Sequence, residues 1–386
     1  MNNFLLIILD GVGIGELPDA DKYDDKGSNT LGNLSSYMGG LELPNLKKFG
    51  LGNIKKMFGY GSVSEPQASF GKLTEISNGK DSTSGHWELG GVVVDFEFPT
   101  YPNGFPLDLM DSFLSENDLE GYIGNKTASG TQIIDEFGDE HMQSGFPIVY
   151  TSADSVFQIA AHEEIIPIDR LYEICEITRN QVCIDEHSVG RIIARPFIGS
   201  PGSFERTTNR KDFSIDPPSD TILDYLTKNN INTIGIGKIN DLFNYRGISK
   251  AVKTKSNLEG INSILSYLKS EENSLIFANL VDFDVYFGHR LDPEGFHEAL
   301  VEFDTNLPDI ISEMDETDKL IITADHGNDP TVESTDHTRE YVPLLYYSPG
   351  SEVKNLGVRT SFSDVAKTIA DYFGIENKLN GTSFLH

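Results

Sequence analysis

The chain has 386 residues, of which 38% are hydrophobic and 23% charged, enough apolar material for two or three domains. Its 60 acidic and 30 basic residues give a net charge of −30, and no cluster of Lys and Arg stands out. Nucleic acid is therefore not expected as a partner, because phosphate backbones need a basic surface. The two cysteines, Cys175 and Cys183, are too few for a disulfide scaffold or a cysteine-rich zinc site.

The first apolar run, Phe4 to Leu9, has the pattern of a strand buried on both faces of a parallel sheet. Its short length and the absence of a basic start argue against a signal peptide. No apolar stretch of the chain approaches the roughly 18 residues of a membrane span. We therefore expect a soluble, cytoplasmic protein that does not contact membranes. Asp10 follows the first strand at its carboxyl end, where ligands bind in open α/β sheets.

Residues 79–91 read GKDSTSGHWELGG and place the hydroxyls of Ser82, Thr83 and Ser84 directly after Asp81. One interpretation is an Asx or Ser/Thr turn that caps a helix. The N-terminus of such a helix also favours a phosphate or an alkoxide, so the structural and functional interpretations are compatible. Ser82 is the first candidate for a nucleophile, and the sequence leaves Thr83 and Ser84 open.

Two proline-rich segments, 99–106 (PTYPNGFP) and 216–218 (DPP), interrupt the α/β pattern. The segment between them carries its own strands and helix. Candidate metal ligands lie on both sides of this segment, and few lie within it. We therefore predict a discontinuous core built from 1–98 and 217–386, with an inserted α+β cap domain at 99–216.

After the second joint, strands and helices alternate again. The predicted strands are Asn232–Ile236, Ser274–Val281, Leu320–Thr323 and Val342–Tyr347. The predicted helices are Glu294–Met314 and Ser361–Phe373, the second with a Ser N-cap and Gly374 at its end. This alternation predicts an α/β fold with a mostly parallel sheet flanked by helices.

Six side chains of the types that bind metals fall at or just beyond the carboxyl ends of predicted core strands. They are Asp10, Asp284, His289, Asp325, His326 and His337. Carboxylate and imidazole ligands on rigid backbone suit a borderline metal such as Zn²⁺ or Mn²⁺. The alternative is a set of solvated acids and histidines in loops. Six such residues could hold two metals around one nucleophile, an arrangement suited to in-line phosphoryl transfer.

The chain resembles the phosphopentomutases, a family of the alkaline phosphatase superfamily, over nearly its whole length. The resemblance rests on these motifs: ILDGVGIGELPDA, GKDSTSGHWE, PIVYTSADSVFQIAAHEE, GRIIARPFIGSPGSFERTTNR, NLVDFDVYFGHRLDP, ITADHGNDPT and TDHTREYVPLL. The metal motifs are shared with other members of the superfamily, including cofactor-independent phosphoglycerate mutase. The TSADS and IARPF motifs of the inserted segment point to phosphopentomutases. The resemblance implies an alkaline-phosphatase-like core.

For the metals, the resemblance divides the six candidate ligands into two groups. The first group, completed by an oxygen of the nucleophile, is Asp10, Asp325 and His326. The second group is Asp284, His289 and His337. The nucleophile matches Ser82, although the family usually has Thr there within D-T-x-T-G-H-W-E. The family also implies two Mn²⁺, with Zn²⁺ or Mg²⁺ as substitutes, and priming by a sugar bisphosphate such as glucose 1,6-bisphosphate.

For the substrate, the resemblance implies contacts from the inserted segment and from one core lysine. Ser152 and Asp154, in TSADS, match residues that position the sugar. The residues that match a grip on the substrate phosphate are Arg191, Arg206 and Lys238, with Arg210 as a further candidate. Guanidinium groups suit this role through bidentate contacts. The alternative for the arginines is a structural ion pair in a very acidic chain.

The expected activity is that of an isomerase acting on a small sugar phosphate. It would interconvert ribose 1-phosphate and ribose 5-phosphate, and the 2-deoxyribose pair, in nucleoside salvage and catabolism. Phosphoryl transfer would pass through phosphorylated Ser82 and a bisphosphate intermediate, with the inserted domain excluding water. The alternatives are a metal-dependent phosphatase or phosphodiesterase, a mutase for another sugar or for glycerate phosphate, and a metal-binding protein without catalysis.

Overall fold

The computed structural model describes residues 2–152 and 155–385 and divides into two compact units. Unit 1 comprises Met1–Phe96 and Pro217–His386, and unit 2 comprises Glu97–Asp216. The second unit is therefore a continuous piece of chain that interrupts the first. Among the described residues, no helix combines the length and the apolar character needed to cross a bilayer.

The strands follow the apolar runs of the sequence. In chain order they are β1 (Phe4–Leu9), β2 (Ser69–Leu73), β3 (Ile123–Thr127), β4 (Ile148–Thr151), β5 (Val156–His162), β6 (Arg191–Ile198), β7 (Glu205–Arg206), β8 (Lys211–Ser214), β9 (Asn232–Ile236), β10 (Lys250–Val252), β11 (Ser274–Leu280), β12 (Lys319–Thr323), β13 (Val342–Tyr347) and β14 (Asn355–Arg359). Every residue of β1 and β11 is buried, as expected for strands covered on both faces.

The helices in chain order are α1 (Thr30–Met38), α2 (Pro44–Phe49), α3 (Leu51–Ile54), α4 (Ser82–Leu89), α5 (Leu107–Glu116), α6 (Gly130–Ser144), α7 (Ile168–Ile177), α8 (Ile222–Lys228), α9 (Ile239–Leu242), α10 (Asn257–Ser270), α11 (Pro293–Ser312) and α12 (Asp364–Tyr372). Short 3₁₀ or π turns occupy Ala20–Tyr23, Thr178–Val182, Asp185–His187, Phe283–Phe287 and Gly288–Arg290. The predicted helix Ser361–Phe373 is shorter in the structure, because α12 begins at Asp364; its N-cap is a serine, Ser363, whose side chain makes no capping hydrogen bond.

The sheet of unit 1 has eight strands within the described residues, in the order β10-β9-β11-β1-β12-β13-β2-β14. The five strands from β10 to β12 are parallel to one another. β13 is antiparallel to both β12 and β2, and β14 is parallel to β2. The predicted α/β fold with a mostly parallel sheet is therefore confirmed.

Because β13 is antiparallel to β12, His337 does not lie at the kind of strand end that the sequence predicted. Ile322 of β12 pairs with Leu345 of β13 in antiparallel register, because the connection between them contains no crossover helix. His337 therefore lies before the amino end of a strand, and its placement beyond a carboxyl end was wrong. Because β13 is reversed, this amino end lies at the same sheet edge as Asp325, which follows β12.

Unit 2 is built on a mixed sheet in the order β3-β4-β5-β6-β7, with β8 also paired to β6. One face packs against α5 and α7 in a core that includes both cysteines. The other face packs against α6, through Ile133 and Ile134 of the helix and Tyr150 and Phe197 of the sheet. Side chains that alternate along β6 thus serve two different cores.

Candidate active site

The hydroxyl of Ser82 lies at the start of α4. Asp81 caps this helix, and its Oδ1 accepts hydrogen bonds from the amides of Thr83 (2.9 Å) and Ser84 (3.1 Å). Ser82 Oγ lies 3.1 Å from His326 Nε2. Ser84 Oγ instead donates to Asp81 Oδ2 at 2.7 Å and is buried. Of these two serines, Ser82 is the one whose oxygen lies beside a candidate ligand.

Three aspartates that are distant in sequence meet at one edge of the unit 1 sheet. Asp10 follows β1, Asp284 follows β11 and Asp325 follows β12, and each is at most 2% exposed. His326 Nε2 lies 3.4 Å from Asp10 Oδ1 and 3.2 Å from Asp325 Oδ2. The ligand-type atoms of Asp10, Asp325 and His326 all lie within 4.8 Å of one another, so these three side chains could share a cation.

A second group of potential ligand atoms surrounds Asp284. His337 Nε2 lies 3.2 Å from Asp284 Oδ1, and His289 Nε2 lies 3.3 Å from Asp284 Oδ2. The atoms of Asp284, His326 and His337 lie within 4.8 Å of one another, with the His326 and His337 rings stacked at 3.9 Å. The structure thus brings all six candidate ligands together, and His326 borders both groups.

Unpaired polar atoms show that these residues fit a metal. Asp10 Oδ1, Asp325 Oδ2 and His337 Nε2 are buried and make no hydrogen bond of good geometry among the described residues, although each lies 3.1–3.4 Å from another charged or ligand-type side chain of the site. A buried polar atom without a partner is costly, and most such atoms in folded proteins are satisfied. A bound divalent cation would satisfy all three, because carboxylate oxygens and imidazole nitrogens are its ordinary ligands.

The pKa values of the aspartates and of His326 show how strongly these charges interact. Burial raises the pKa of Asp10, and the neighbouring Asp325 and Asp284 raise it further. Burial opposes the ionisation of Asp325 as well, but His326 and His86 hold its pKa well below the usual range. Burial lowers the pKa of His326, yet the surrounding aspartates raise it to about 10. The buried aspartates are therefore stabilised by positive groups beside them.

Lys238 is one such positive group. It follows β9, and its Nζ lies 3.2 Å from Asp10 Oδ2 and 3.7 Å from Asp284 Oδ2. Burial lowers the pKa of its ammonium, but these carboxylates raise it above the usual value. The structure thus places Lys238 directly against two candidate metal ligands.

Sequence reasoning missed the residues that hold the ligands and Ser82 in place. His86 Nδ1 lies 2.8 Å from the carbonyl oxygen of Ser82 and 3.1 Å from Asp325 Oδ2. The side-chain amide nitrogen of Asn279 lies 3.2 Å from His86 Nε2. Because an amide nitrogen can only donate, His86 Nε2 is the acceptor and Nδ1 carries the proton. A spacing of four residues puts His86 and Ser82 on one helix face, and this was the available signal.

Two further supports lie around α4. Lys80 Nζ lies 3.1 Å from both oxygens of Asp25 and 3.1 Å from Asp336 Oδ2. Because Lys80 directly precedes the cap of α4 and Asp336 directly precedes His337, this ion pair joins the start of α4 to the His337 loop. Glu88 is buried and accepts from the amides of Ile76, Ser77 and Phe362 and from the hydroxyl of Ser361. Glu88, the glutamate of the GHWE motif, therefore has a structural role: its hydrogen bonds join α4 to residues 76–77 and 361–362.

The remaining predicted residues lie in unit 2. Ser152 follows β4 and is half-buried, whereas Asp154 lies outside the described residues. Arg191 begins β6, and its Nη1 is 3.6 Å from Asp212 Oδ2. Arg206 is exposed on β7 and pairs with Phe197, at the opposite end of β6 from Arg191. The backbones of the two arginines are therefore well separated along the strand.

Comparison with known proteins agrees with this picture. Residues 2–377 match the Metalloenzyme superfamily. A phosphopentomutase from Dictyoglomus thermophilum is 56% identical over 386 residues, covering 100% of this chain and 98% of the relative. A phosphopentomutase from Clostridium novyi is 54% identical with the same coverage. The solved structure of the PH0037 protein from Pyrococcus horikoshii shares the fold, with a TM-score of 0.51, 14% identity and 98% coverage of each chain.

Proposed function

Because the chain belongs to the phosphopentomutases, a family of metal-dependent isomerases within the metalloenzyme superfamily, we propose that it interconverts ribose 1-phosphate and ribose 5-phosphate. The proposal includes the 2-deoxyribose pair and a role in nucleoside salvage and catabolism. The observation that carries it is the position of Ser82 Oγ, at a helix start and 3.1 Å from a histidine of the aspartate cluster.

The metals proposed are two Mn²⁺, with Zn²⁺ or Mg²⁺ as substitutes. The residues that would hold them are Asp10, Asp325 and His326 for one ion and Asp284, His289 and His337 for the other. When bound, the ions would neutralise the aspartates, favour the ionised Ser82 hydroxyl and stabilise charge on the phosphoryl group in transfer. The buried oxygens of Asp10 and Asp325 that lack a hydrogen bond of good geometry support this assignment.

The chain's own residues supply the covalent steps. Ser82 Oγ attacks a phosphorus of a sugar bisphosphate primer such as glucose 1,6-bisphosphate, and the bond from that phosphorus to the sugar oxygen breaks. Phosphorylated Ser82 then transfers its phosphoryl group to the free hydroxyl of the bound pentose phosphate. The resulting bisphosphate returns its other phosphoryl group to Ser82, which releases the isomeric monophosphate. The start of α4 favours the negative charge of the phosphorylated side chain.

Unit 2 is proposed as the cap that recognises the sugar. Ser152 and Asp154 would position the ring, and Arg191 and Arg206, with Lys238 of unit 1, would bind phosphate. The compactness of unit 2 supports the proposal of a separate recognition domain. By excluding water, such a cap would keep phosphorylated Ser82 from hydrolysis, which separates a mutase from a phosphatase.

The test measures phosphorylation and turnover together. After incubation with Mn²⁺ and glucose 1,6-bisphosphate, intact-mass analysis should show one added phosphoryl group, which peptide mapping assigns to Ser82. Ser82→Ala should lose both this group and activity, whereas Thr83→Ala, which changes a neighbouring hydroxyl, should keep the group. The primed enzyme should convert ribose 5-phosphate to ribose 1-phosphate. Release of free phosphate without ribose 1-phosphate would refute the mutase and indicate a phosphatase.

A further inference from the structure

Asn328, two residues after His326, contacts the segments that follow two neighbouring strands of the unit 1 sheet. It is 0% exposed, and its main-chain amide donates to the carbonyl oxygen of Gly11, directly after Asp10, at 2.8 Å. Its side-chain nitrogen Nδ2 donates to Asp284 Oδ1 at 2.7 Å. One residue of the segment after β12 thus joins the candidate ligands that follow β1 and β11.

Two glycines leave the space that the side chain of Asn328 occupies. A methyl group built on Gly11 would lie 2.9 Å from Asn328 Cβ, and one built on Gly288 would lie 2.5 Å from both Cγ and Nδ2 of Asn328. Gly288 directly precedes His289 and has ordinary helical dihedral angles, φ −58° and ψ −63°. A glycine is therefore required there by the contact with Asn328 and not by the backbone.

The orientation of the Asn328 amide follows from the chemistry of its neighbour. An ionised carboxylate only accepts hydrogen bonds, so the nitrogen side of the amide must face Asp284. Asn328 Oδ1 is left buried and has no hydrogen-bond partner among the described residues. A buried amide oxygen without a partner is costly, and a hydrogen bond to a charged group is stronger than one between neutral groups. The amide is thus placed to hold Asp284, although its own oxygen remains unsatisfied.

The two oxygens of Asp284 have different neighbours. Oδ1 accepts from Asn328 and lies 3.2 Å from His337 Nε2, whereas Oδ2 lies 3.3 Å from His289 Nε2. His289 Nδ1 lies 2.7 Å from the carbonyl oxygen of Thr335, so in the neutral ring Nδ1 donates and Nε2 carries the lone pair. A carboxylate and an imidazole of the second group are thus each held by one amide or carbonyl group, as the ligands of metal sites usually are.

A carboxylate that cannot turn favours some cations over others. Mg²⁺ demands a near-ideal octahedron, and Mn²⁺ also binds in octahedral sites. Ca²⁺ is larger, tolerates irregular geometry and accepts a carboxylate through one oxygen or through both. The hydrogen bond from Asn328 fixes the plane of the Asp284 carboxylate, which suits the smaller ions. Without that bond, the carboxylate could rotate and offer both oxygens to Ca²⁺.

We propose that Asn328 is a positioning residue for the second metal and sets the selectivity of its site. By holding Asp284 in one orientation, its amide makes the group of Asp284, His289 and His337 bind Mn²⁺ or Mg²⁺ in preference to Ca²⁺. The choice of Mn²⁺ as the resident ion rests on the proposed function. The effect of Asn328 on Asp284 does not, because it can be measured without substrate.

The test is calorimetry on the metal-free full chain, into which Mn²⁺, Mg²⁺ and Ca²⁺ are titrated separately. Asn328→Leu keeps the size and branching of the side chain but removes the donor. It should weaken the binding of one Mn²⁺, and of Mg²⁺, by roughly ten- to a hundredfold, the usual effect of losing a group that orients a ligand. Ca²⁺ affinity should change by about threefold or less, so the preference for the smaller ions falls. Asn306→Leu makes the same change on α11, where the amide donates to the carbonyl oxygen of Glu302, and should leave all three affinities unchanged.

Gly288→Ala separates the hydrogen bond from packing. Its methyl group would displace the Asn328 amide without removing it, so Mn²⁺ affinity should fall as in Asn328→Leu. In the Asn328→Ala background the methyl group meets no amide, so adding Gly288→Ala should cause little further loss. Additive losses would show that Gly288→Ala acts through the adjacent His289, and would count against the inference. If tryptophan fluorescence shows Asn328→Leu to be unfolded, this cycle of variants decides the question alone.

Unchanged Mn²⁺ affinity in Asn328→Leu, or equal losses for all three cations, would overturn the inference, because a merely structural residue would not alter selectivity. The proposed function is judged separately, by formation of ribose 1-phosphate from ribose 5-phosphate. A chain that forms no ribose 1-phosphate but shows the altered selectivity refutes the mutase and keeps the role of Asn328. An active mutase whose selectivity is unaltered in Asn328→Leu does the reverse.

Discussion

Asp81 is the residue whose replacement most directly tests how α4 presents Ser82. Asp81 accepts from two backbone amides and from the hydroxyl of Ser84, at 2.9, 3.1 and 2.7 Å. Loss of an N-cap side chain costs about 0.5–2 kcal/mol, and a buried hydroxyl left without its acceptor costs about 1–3 kcal/mol. We therefore expect Asp81→Ala to lower the free energy of unfolding by about 2–4 kcal/mol. Asp81→Asn, which preserves a good cap, should cost about 1 kcal/mol.

Activity should fall together with stability. A shift of about 1 Å in a reacting group can cost roughly a hundredfold in rate, and the cap fixes the first turn that carries Ser82. We expect kcat of Asp81→Ala to drop by about this factor while Asp81→Asn loses roughly tenfold or less. We expect both variants to be folded at low denaturant, which the denaturation curves test, so that a loss of activity there is not due to unfolding.

Urea denaturation followed by tryptophan fluorescence measures the stability change. The single tryptophan, Trp87, is buried within α4 itself and donates from Nε1 to the carbonyl of Leu242 at 2.9 Å. Asp95→Ala is the matched control, because it removes an exposed aspartate of the same unit. Equal midpoints for Asp81→Ala and Asp95→Ala, or equal activity of Asp81→Ala and wild type, would refute the reasoning.

The remaining predictions concern the metals and the thiols. Metal analysis should show that His337→Ala loses one Mn²⁺ first and Asp325→Ala the other, and equal loss of both ions in each variant would contradict the two-group assignment. Chelation should lower the free energy of unfolding reported by Trp87, by about 4 kcal/mol if the metal had been held at a thousand times its Kd. The unfolding of unit 2 should not change. Burial raises the pKa of Cys183 to about 12 and that of Cys175 well above its usual value. At pH 8 neither thiol should react with an aromatic disulfide reagent until unit 2 unfolds, and rapid labelling of the native protein would show the burial to be wrong.

The elements that the sequence predicted well are those whose signal is local. The apolar run Phe4–Leu9 became β1 without change, and Asn232–Ile236 became β9. Val342–Tyr347 was also a strand, but an apolar run carries no information about direction. That direction depends on the connection from β12, which holds ligands instead of a helix.

The candidate site was predictable where residue type alone indicates chemistry. Asp and His after strand ends predict a metal site because strand ends converge. The sequence could not show that Lys238 contacts Asp10, or that Arg206 lies beside Arg195, because both depend on the direction of long side chains and on strand register. The sequence also could not show that Glu88 has a structural role and not a catalytic one. That role is evident only from the buried hydrogen bonds that its carboxylate accepts.

The interruption of unit 1 by unit 2 has a consequence for biosynthesis. β1 is synthesised first, yet both of its sheet neighbours, β11 and β12, come from the part of the chain that follows the interruption. The nascent apolar segment Phe4–Leu9 must therefore wait, without its partners, while Glu97–Asp216 emerges. That continuous stretch contains all the strands of its own sheet, so it can fold on the ribosome before β11 and β12 are synthesised. We expect the long exposure of β1 to make the first segment of the chain a natural binding site for chaperones during translation.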